Sequence, residues 1–174
     1  MNIKAVLRSL ARTLLGAGRV GSPSGEPAGP DSLKANSGIP RIYPGDFTGP
    51  LRPRYAPVDD DQPDPGEIVW AWVPYEEDHS QGKDRPALII GRDKDWLLAL
   101  PVTSKNHDRD ARQEASVGRY WTDIGTGDWD SRGRPSEVRV NRVVRLAPSS
   151  VRRIGAKLDR ARFDKVCAEM SRRR

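Results

Sequence analysis

The sequence predicts a small, mostly antiparallel β barrel with one helix at its C-terminal end. Three observations lead there. Short runs of β-branched and aromatic residues recur between turn signals, a clear helical stripe appears near the C-terminus, and neither strand–helix–strand alternation nor an internal repeat is present. A chain of 174 residues holds one modest core with an appendage.

The appendage comes first. Ile3, Val6, Leu7, Leu10 and Leu14 fall at helical spacing with Lys4, Arg8 and Arg12 between them, which predicts an amphipathic helix over residues 1–17. Two uses stay open: a helix that docks on a partner or a membrane surface, or a tail that rests on the domain, since ~15 residues make a marginal helix alone. A signal peptide would separate its charges from its apolar stretch, and this segment mixes them. Residues 18–64 are punctuated by Pro23, Pro27, Pro30, Pro40, Pro44, Pro50, Pro53, Pro57 and Pro63 among Gly, Ser and Asp. Such a stretch reads as a disordered linker, because it offers little apolar surface against its ordering entropy.

The ordered domain is expected over residues 65–174. Glu67–Val73 is β-branched and aromatic and ends at Pro74, as a strand does. Glu76–Asp84 is a polar loop, and Ala87–Ile90 is a continuous apolar run of buried-strand length. Trp96–Leu100 returns as the next strand, Pro101 marks an edge or bulge, and Val102–Ser104 finish it. Lys105–Glu114 is a charged loop, Ser116–Tyr120 a short strand, and Thr122–Pro135 a loop or hairpin. Glu137–Leu146 alternates as one half-buried strand, with Val143 out of phase. Ser149 is placed to cap a short turn holding Val151 and Ile154. Asp159 is a plausible N-cap, Leu158 and Phe163 sit at staple positions, and Phe163, Val166, Cys167 and Met170 make one helical stripe. Cys167 reads as a small buried hydrophobe in preference to a reactive thiol.

The totals narrow the function. A net charge of +6 and a pI near 9.8 favour polyanionic partners, with an acidic protein or a merely solvated basic face equally compatible. One cysteine excludes a disulfide framework and suits a reducing, cytoplasmic setting. His79 and His107 are too few and too far apart for a helical zinc motif, and no apolar run approaches the ~20 residues of a membrane span. Phosphate-loop, serine-elbow and two-metal patterns are all missing, so neither a metal nor a cofactor is expected. A chain of this composition that cut nucleic acid would use side chains alone. The feasible route is attack by an RNA 2′-hydroxyl on its own phosphate, which needs a proton acceptor, cations and a proton donor.

Residues able to do this sit at strand ends. Arg85 opens one strand, Thr103 and Ser104 close another, and Arg139 lies within a third. Plainer roles are open to each: a salt bridge from Arg85 to Glu76, Glu77 or Asp84, and an ordinary strand-end turn at Thr103-Ser104. Three successive segments then carry a resemblance. Pro65-Gly-Glu-Ile-Val-Trp70, Ser80-Gln-Gly-Lys-Asp-Arg-Pro-Ala-Leu-Ile-Ile90 and Leu98-Ala-Leu-Pro-Val-Thr-Ser104 resemble, in order and spacing, the signatures of the PemK/MazF toxins.

That resemblance covers roughly residues 65 to 170. It implies an SH3-like barrel, commonly a homodimer, that cleaves single-stranded RNA without metal and leaves 2′,3′-cyclic phosphate and 5′-hydroxyl ends. It implies Arg85, Thr103 and Arg139 as catalytic residues, Thr103 and Ser104 as hydroxyls on phosphate oxygens, and Arg139 as acid or phosphate clamp. Asn141 stands where one branch has an acid and is left to orient substrate, with His79 or Glu77 as candidate bases. The implied partners are an acidic antitoxin and, only together with it, operator DNA. The alternatives are a weakened module that binds nucleic acid without cutting it, for which Asn141 speaks and in which Arg142, Arg145, Arg152, Arg153 and Arg160 line a phosphate track, and a toxin aimed at a protein.

Overall fold

Pairing of short strands across one continuous sheet organises the chain. The computed structural model describes residues 42–105 and 111–173, so the helix expected at 1–17 and the first part of the linker lie outside the described residues. The elements are β1 (Glu67–Pro74), β2 (Gly82–Asp93), β3 (Trp96–Thr103), α1 (Ala111–Ser116), β4 (Trp121–Gly125), β5 (Ser136–Arg139), β6 (Val144–Leu146), β7 (Val151–Lys157) and α2 (Arg160–Arg172). All pairings are antiparallel, in the order β4-β5-β3-β2-β1-β7, with β6 also on β3. The mostly-β class with a C-terminal helix is as expected, but the barrel is not closed: the path ends at β4 and β7. Side chains of α2 reach the β4 end instead, with Lys165 Nζ donating to the Asp123 carbonyl at 3.0 Å and Arg162 Nη1 to that of Thr126 at 3.0 Å.

Alternation along the strands sends side chains to two faces, and each face has its own core. Ile68, Leu88, Ile90, Leu100, Val102 and Val138 pack with Phe163, Val166 and Met170 of α2. Val69, Ala71, Val73, Ala87, Ile89, Leu97 and Ala99 pack with Val144 and Leu146 on the other. Asp159 caps α2 by accepting the Arg162 N–H at 2.9 Å, and Leu158 and Phe163 are both buried beside it. Cys167 is half-buried against this core, and burial pushes its thiol up to about 11.

Several of the expected elements change. The polar loop after β1 is shorter than its composition suggests, because Pro74 already pairs with Gly82 and β2 begins there. The expected strand over Ser116–Tyr120 is the end of α1 and a turn at Gly118 (φ +71°), and β4 begins at Trp121 and runs into the stretch read as loop. The single strand over Glu137–Leu146 is two, β5 and β6, parted where the Val140 N–H bonds the Tyr120 carbonyl at 2.9 Å. The out-of-phase Val143 marks that break. Strand β7 was hidden because Arg152 and Arg153 interrupt its apolar residues, leaving no alternation to read.

Residues 42–64, whose prolines read as linker, are laid along the domain by a few spaced anchors. Phe47, Leu51 and Tyr55 pack on the larger core. Backbone bonds join Phe47 N–H to Val143 at 2.7 Å and Arg54 N–H to Ile90 at 3.0 Å. The Tyr55 hydroxyl donates to the Leu158 carbonyl at 2.9 Å, and its ring meets Phe163 edge-on at 5.2 Å. Gly66 completes the junction at φ +104°, where an added Cβ would lie 2.9 Å from the Tyr55 ring. Gly66→Ala is therefore expected to destabilise the fold by ~1–3 kcal/mol, through both strain and displacement of Tyr55. A denaturant melt of the two chains checks it. Among the described residues, no helix is long and apolar enough to cross a membrane.

Candidate nucleic-acid groove

Register alone brings the expected residues together. The β2–β3 pairing ends at Ala87 and Pro101, and two positions farther along each strand Arg85 and Thr103 fall on that same face, both lining the groove. Thr103 pairs with Glu137 of β5, and Arg139, two residues on, pairs with Trp121 of β4. The same face thus carries Arg85, Thr103, Arg139 and Trp121. Beyond the end of the smaller core this face opens into a groove of about 310 Å³. Among the described residues Lys83, Arg85, Lys105, Arg119, Arg139 and Arg142 line it against the carboxylates of Glu76, Glu77 and Glu114, a positive excess. A second cleft of about 200 Å³ adjoins it, lined by Trp70, Ser104, Arg134 and Ser136, and shares Lys83, Arg85 and Thr103 with the first. Arg85 and Thr103 stand where the two meet.

The salt bridges open to Arg85 are not made. Glu76 pairs with Arg139 and Arg119, Glu77 with Arg119 at 2.8 Å, and Asp84 with Arg152 at 2.6 Å. The Arg85 Nε is buried without an acceptor among the described residues. Burial, and the neighbouring charges of Arg142 and Arg139, hold its pKa below the usual arginine range, with Tyr75 opposing them. A buried donor left unpaired costs ~1–3 kcal/mol and is rare without a purpose. Thr103 Oγ1 accepts the Lys105 N–H at 3.1 Å, so the strand-end turn exists, and the hydroxyl proton remains available to another acceptor.

Other expected residues are placed differently. Arg139 is 7 % exposed, and its fork is filled by Glu76, with Nη1 and Nη2 at 2.8 and 2.9 Å from the two carboxylate oxygens. Asn141 is used to pin the turn before β4: its Oδ1 accepts from the Tyr120 N–H and Arg139 Nε, and its Nδ2 donates to the Gly118 carbonyl. It does not line the groove. Neither does His79, whose ring meets Tyr43 edge-on at 4.9 Å with Nε2 4.0 Å from Asp46 Oδ1. Glu77 lines the groove and Ser104 the adjoining cleft. Of the arginines read as a phosphate track, Arg142 alone lines the groove. Arg145 is spent on Asp93 and the Gly45 and Asp46 carbonyls, Arg152 on Asp84, Arg153 on the Trp70 ring and Arg160 on Asp164. Among the described residues no three His, Cys, Asp or Glu side chains are grouped to hold a metal ion.

Sequence reading missed Glu76 as the partner of Arg139, and Lys83 and Arg119 as groove cations. The only cue was their position next to a turn. The Glu76 carboxyl is held below its ordinary 4.5, first by the Arg139 hydrogen bond and then by the charges of Arg139, Arg142 and Arg119, against burial. A folded pKa below the unfolded one means that the stabilisation is present above about 4.5 and lost as pH falls through the folded value. Glu76 is 42 % exposed, so solvent keeps the effect small, ~1 kcal/mol or less. The stability difference between wild type and Glu76→Gln is expected to shrink by that amount as pH is lowered from about 6 to about 3, read by urea melts at each pH.

The fold is an open antiparallel sheet that bears a basic groove, with Arg85 and Thr103 lining both the groove and its adjoining cleft. The family described as "PemK-like, MazF-like toxin of type II toxin-antitoxin system" matches residues 64–172, and the chain belongs to that family. Solved structures similar to it include the MazE-MazF complex of Deinococcus radiodurans, at 21 % identity over 65 % of this chain and 96 % of that one, with a TM-score of 0.45. MazF alone from the same organism gives 22 %, 65 %, 96 % and 0.47, and the Mycobacterium tuberculosis toxin MazF-mt6 gives 15 %, 62 %, 94 % and 0.41. No curated protein matches the chain.

Proposed function

We propose that this chain is a toxin of its family that cleaves single-stranded RNA without a metal ion. The observation that carries the reading is the half-buried Arg85, whose Nε has no acceptor among the described residues and which lines, with Thr103, both of the adjoining clefts. A ribose 2′-oxygen attacks the adjacent phosphorus, forming the O2′–P bond as the P–O5′ bond breaks. Glu77, on the groove, takes the 2′-hydroxyl proton, and the leaving 5′-oxygen takes a proton from solvent water. Arg85 and Thr103 hold the non-bridging oxygens as charge develops on them, in a site where water is partly excluded. The products are a 2′,3′-cyclic phosphate and a 5′-hydroxyl. A substrate with a single 2′-deoxy sugar at a mapped cut site tests the route: cutting should cease there and continue elsewhere, and cutting that persists at the deoxy position contradicts it.

The groove's positive charge fits an acidic antitoxin as protein partner, and the dimer and antitoxin-dependent DNA binding belong to the same reading. One observation favours binding without cleavage: the Arg139 fork is already filled by Glu76. RNA that is bound and left whole would establish that second reading.

A further inference from the structure

Arg142 and Asp46 form a clamp in the wall of the groove. Arg142 is 6 % exposed and lines the groove beside Arg85. Its Nε donates to Asp46 Oδ2 at 2.7 Å, and its Nη2 to Asp46 Oδ1 at 3.3 Å and to the Pro74 carbonyl at 2.9 Å. Nη1 has no acceptor among the described residues. Asp46 is fixed in turn by the Tyr43 hydroxyl at 2.5 Å, and its segment is tied down by Arg145 Nη1 on the Gly45 carbonyl at 2.7 Å and by the Phe47 N–H on Val143. Asp46 lies outside residues 64–172, the part that matches the family.

A guanidinium held on two nitrogens with the third free is preorganised to donate to an anion, because its rotamer entropy is already lost. Arg139, by contrast, can reach a phosphate only by giving up a bidentate carboxylate. We infer that Arg142, and not Arg139, is the second phosphate-binding cation of the groove, and that Asp46 is the positioning residue that aims it. The inference rests on the RNA reading only as far as binding. The N-terminal strap is thereby part of the site and not an ornament on it.

Binding of a fluorescent, uncleavable 2′-O-methyl single-stranded RNA to the full chain, titrated across salt, tests it. Each phosphate contact on a single strand contributes ~0.7 to the slope of log affinity against log salt. Arg142→Gln is expected to weaken binding about tenfold and to flatten the slope by ~0.7, Arg142→Lys to fall between, and Arg139→Gln to flatten it less than Arg142→Gln does. Asp46→Asn separates aiming from bulk charge. Removing a negative charge should tighten RNA binding if only net charge matters, whereas loss of the clamp should weaken it and flatten the slope. Thermal melts of each variant identify any that fails to fold, and Arg142→Lys and Asp46→Asn carry the test if Arg142→Gln does. A wild-type slope in Arg142→Gln, loss of slope in Arg139→Gln instead, or tighter binding by Asp46→Asn overturns the inference while leaving the RNA reading intact. A wild-type chain that binds no RNA overturns both.

Discussion

Arg85→Met is expected to lose RNA cleavage by about a hundred- to a thousand-fold while melting no lower than the wild type. The two effects have one cause. The Arg85 Nε is buried with no acceptor among the described residues, and the guanidinium sits near Arg142 and Arg139, whose charges oppose its own. Methionine keeps much of the apolar stem in contact with its neighbours and removes the unpaired donor, a group whose burial costs ~1–3 kcal/mol. Stability is thus expected to stay level or rise, the usual relation when a residue is kept for chemistry at the expense of the fold. The same substitution removes the cation that faces Thr103, and a single such donor accounts for about 10²–10³ of rate in comparable sites. Cleavage rates and thermal melts of the two chains, run side by side, check both parts. A chain destabilised by several kcal/mol would mean that Arg85 supports the fold instead.

Phe163→Ala is expected to cost ~3–5 kcal/mol, the range for emptying a buried aromatic site. Phe163 is 2 % exposed, lies in the core stripe of α2 and meets the Tyr55 ring at 5.2 Å. Its loss removes the surface on which both α2 and the segment through Tyr55 rest. For a domain of this size that corresponds to a fall in melting temperature of roughly 10–20 °C. Since Tyr55 belongs to the same strap as Asp46, proteolysis within residues 42–64 should accelerate as well. A loss below ~1 kcal/mol, by urea melts, would mean that the helix is held chiefly by Val166 and Met170.

How far the sequence could be read depended on the range of the interactions. Strands β1 and β3 and helix α2 were legible because their signals are local: β-branched runs, Pro74 as a stop, Asp159 as a cap, Phe163 and Met170 one stripe apart. The meeting of Arg85 and Thr103 followed from ordered motifs, and the register then placed them two residues beyond the Ala87–Pro101 pair. What stayed hidden was long-range. Glu76 reaches Arg139 across 63 residues and Asp46 reaches Arg142 across 96, and nothing in either neighbourhood marks the other. Counting prolines in residues 42–64 gave the right composition and the wrong inference, because Phe47, Leu51 and Tyr55 suffice to hold an extended chain whose prolines have already restricted it. The resemblance alone brings His79 into the site, whereas Tyr43 and Asp46 give it a place outside the groove.

The central claim is metal-independent RNA cleavage at the Arg85–Thr103 pair. The measurement that tests it most directly is incubation of the full chain with a long single-stranded RNA in EDTA, followed by mapping of the cuts and analysis of the new ends. Discrete cuts bearing 2′,3′-cyclic phosphate, absent with Arg85→Met, are the predicted result. RNA left whole by the wild type, or cut only when a divalent metal is restored, would contradict it.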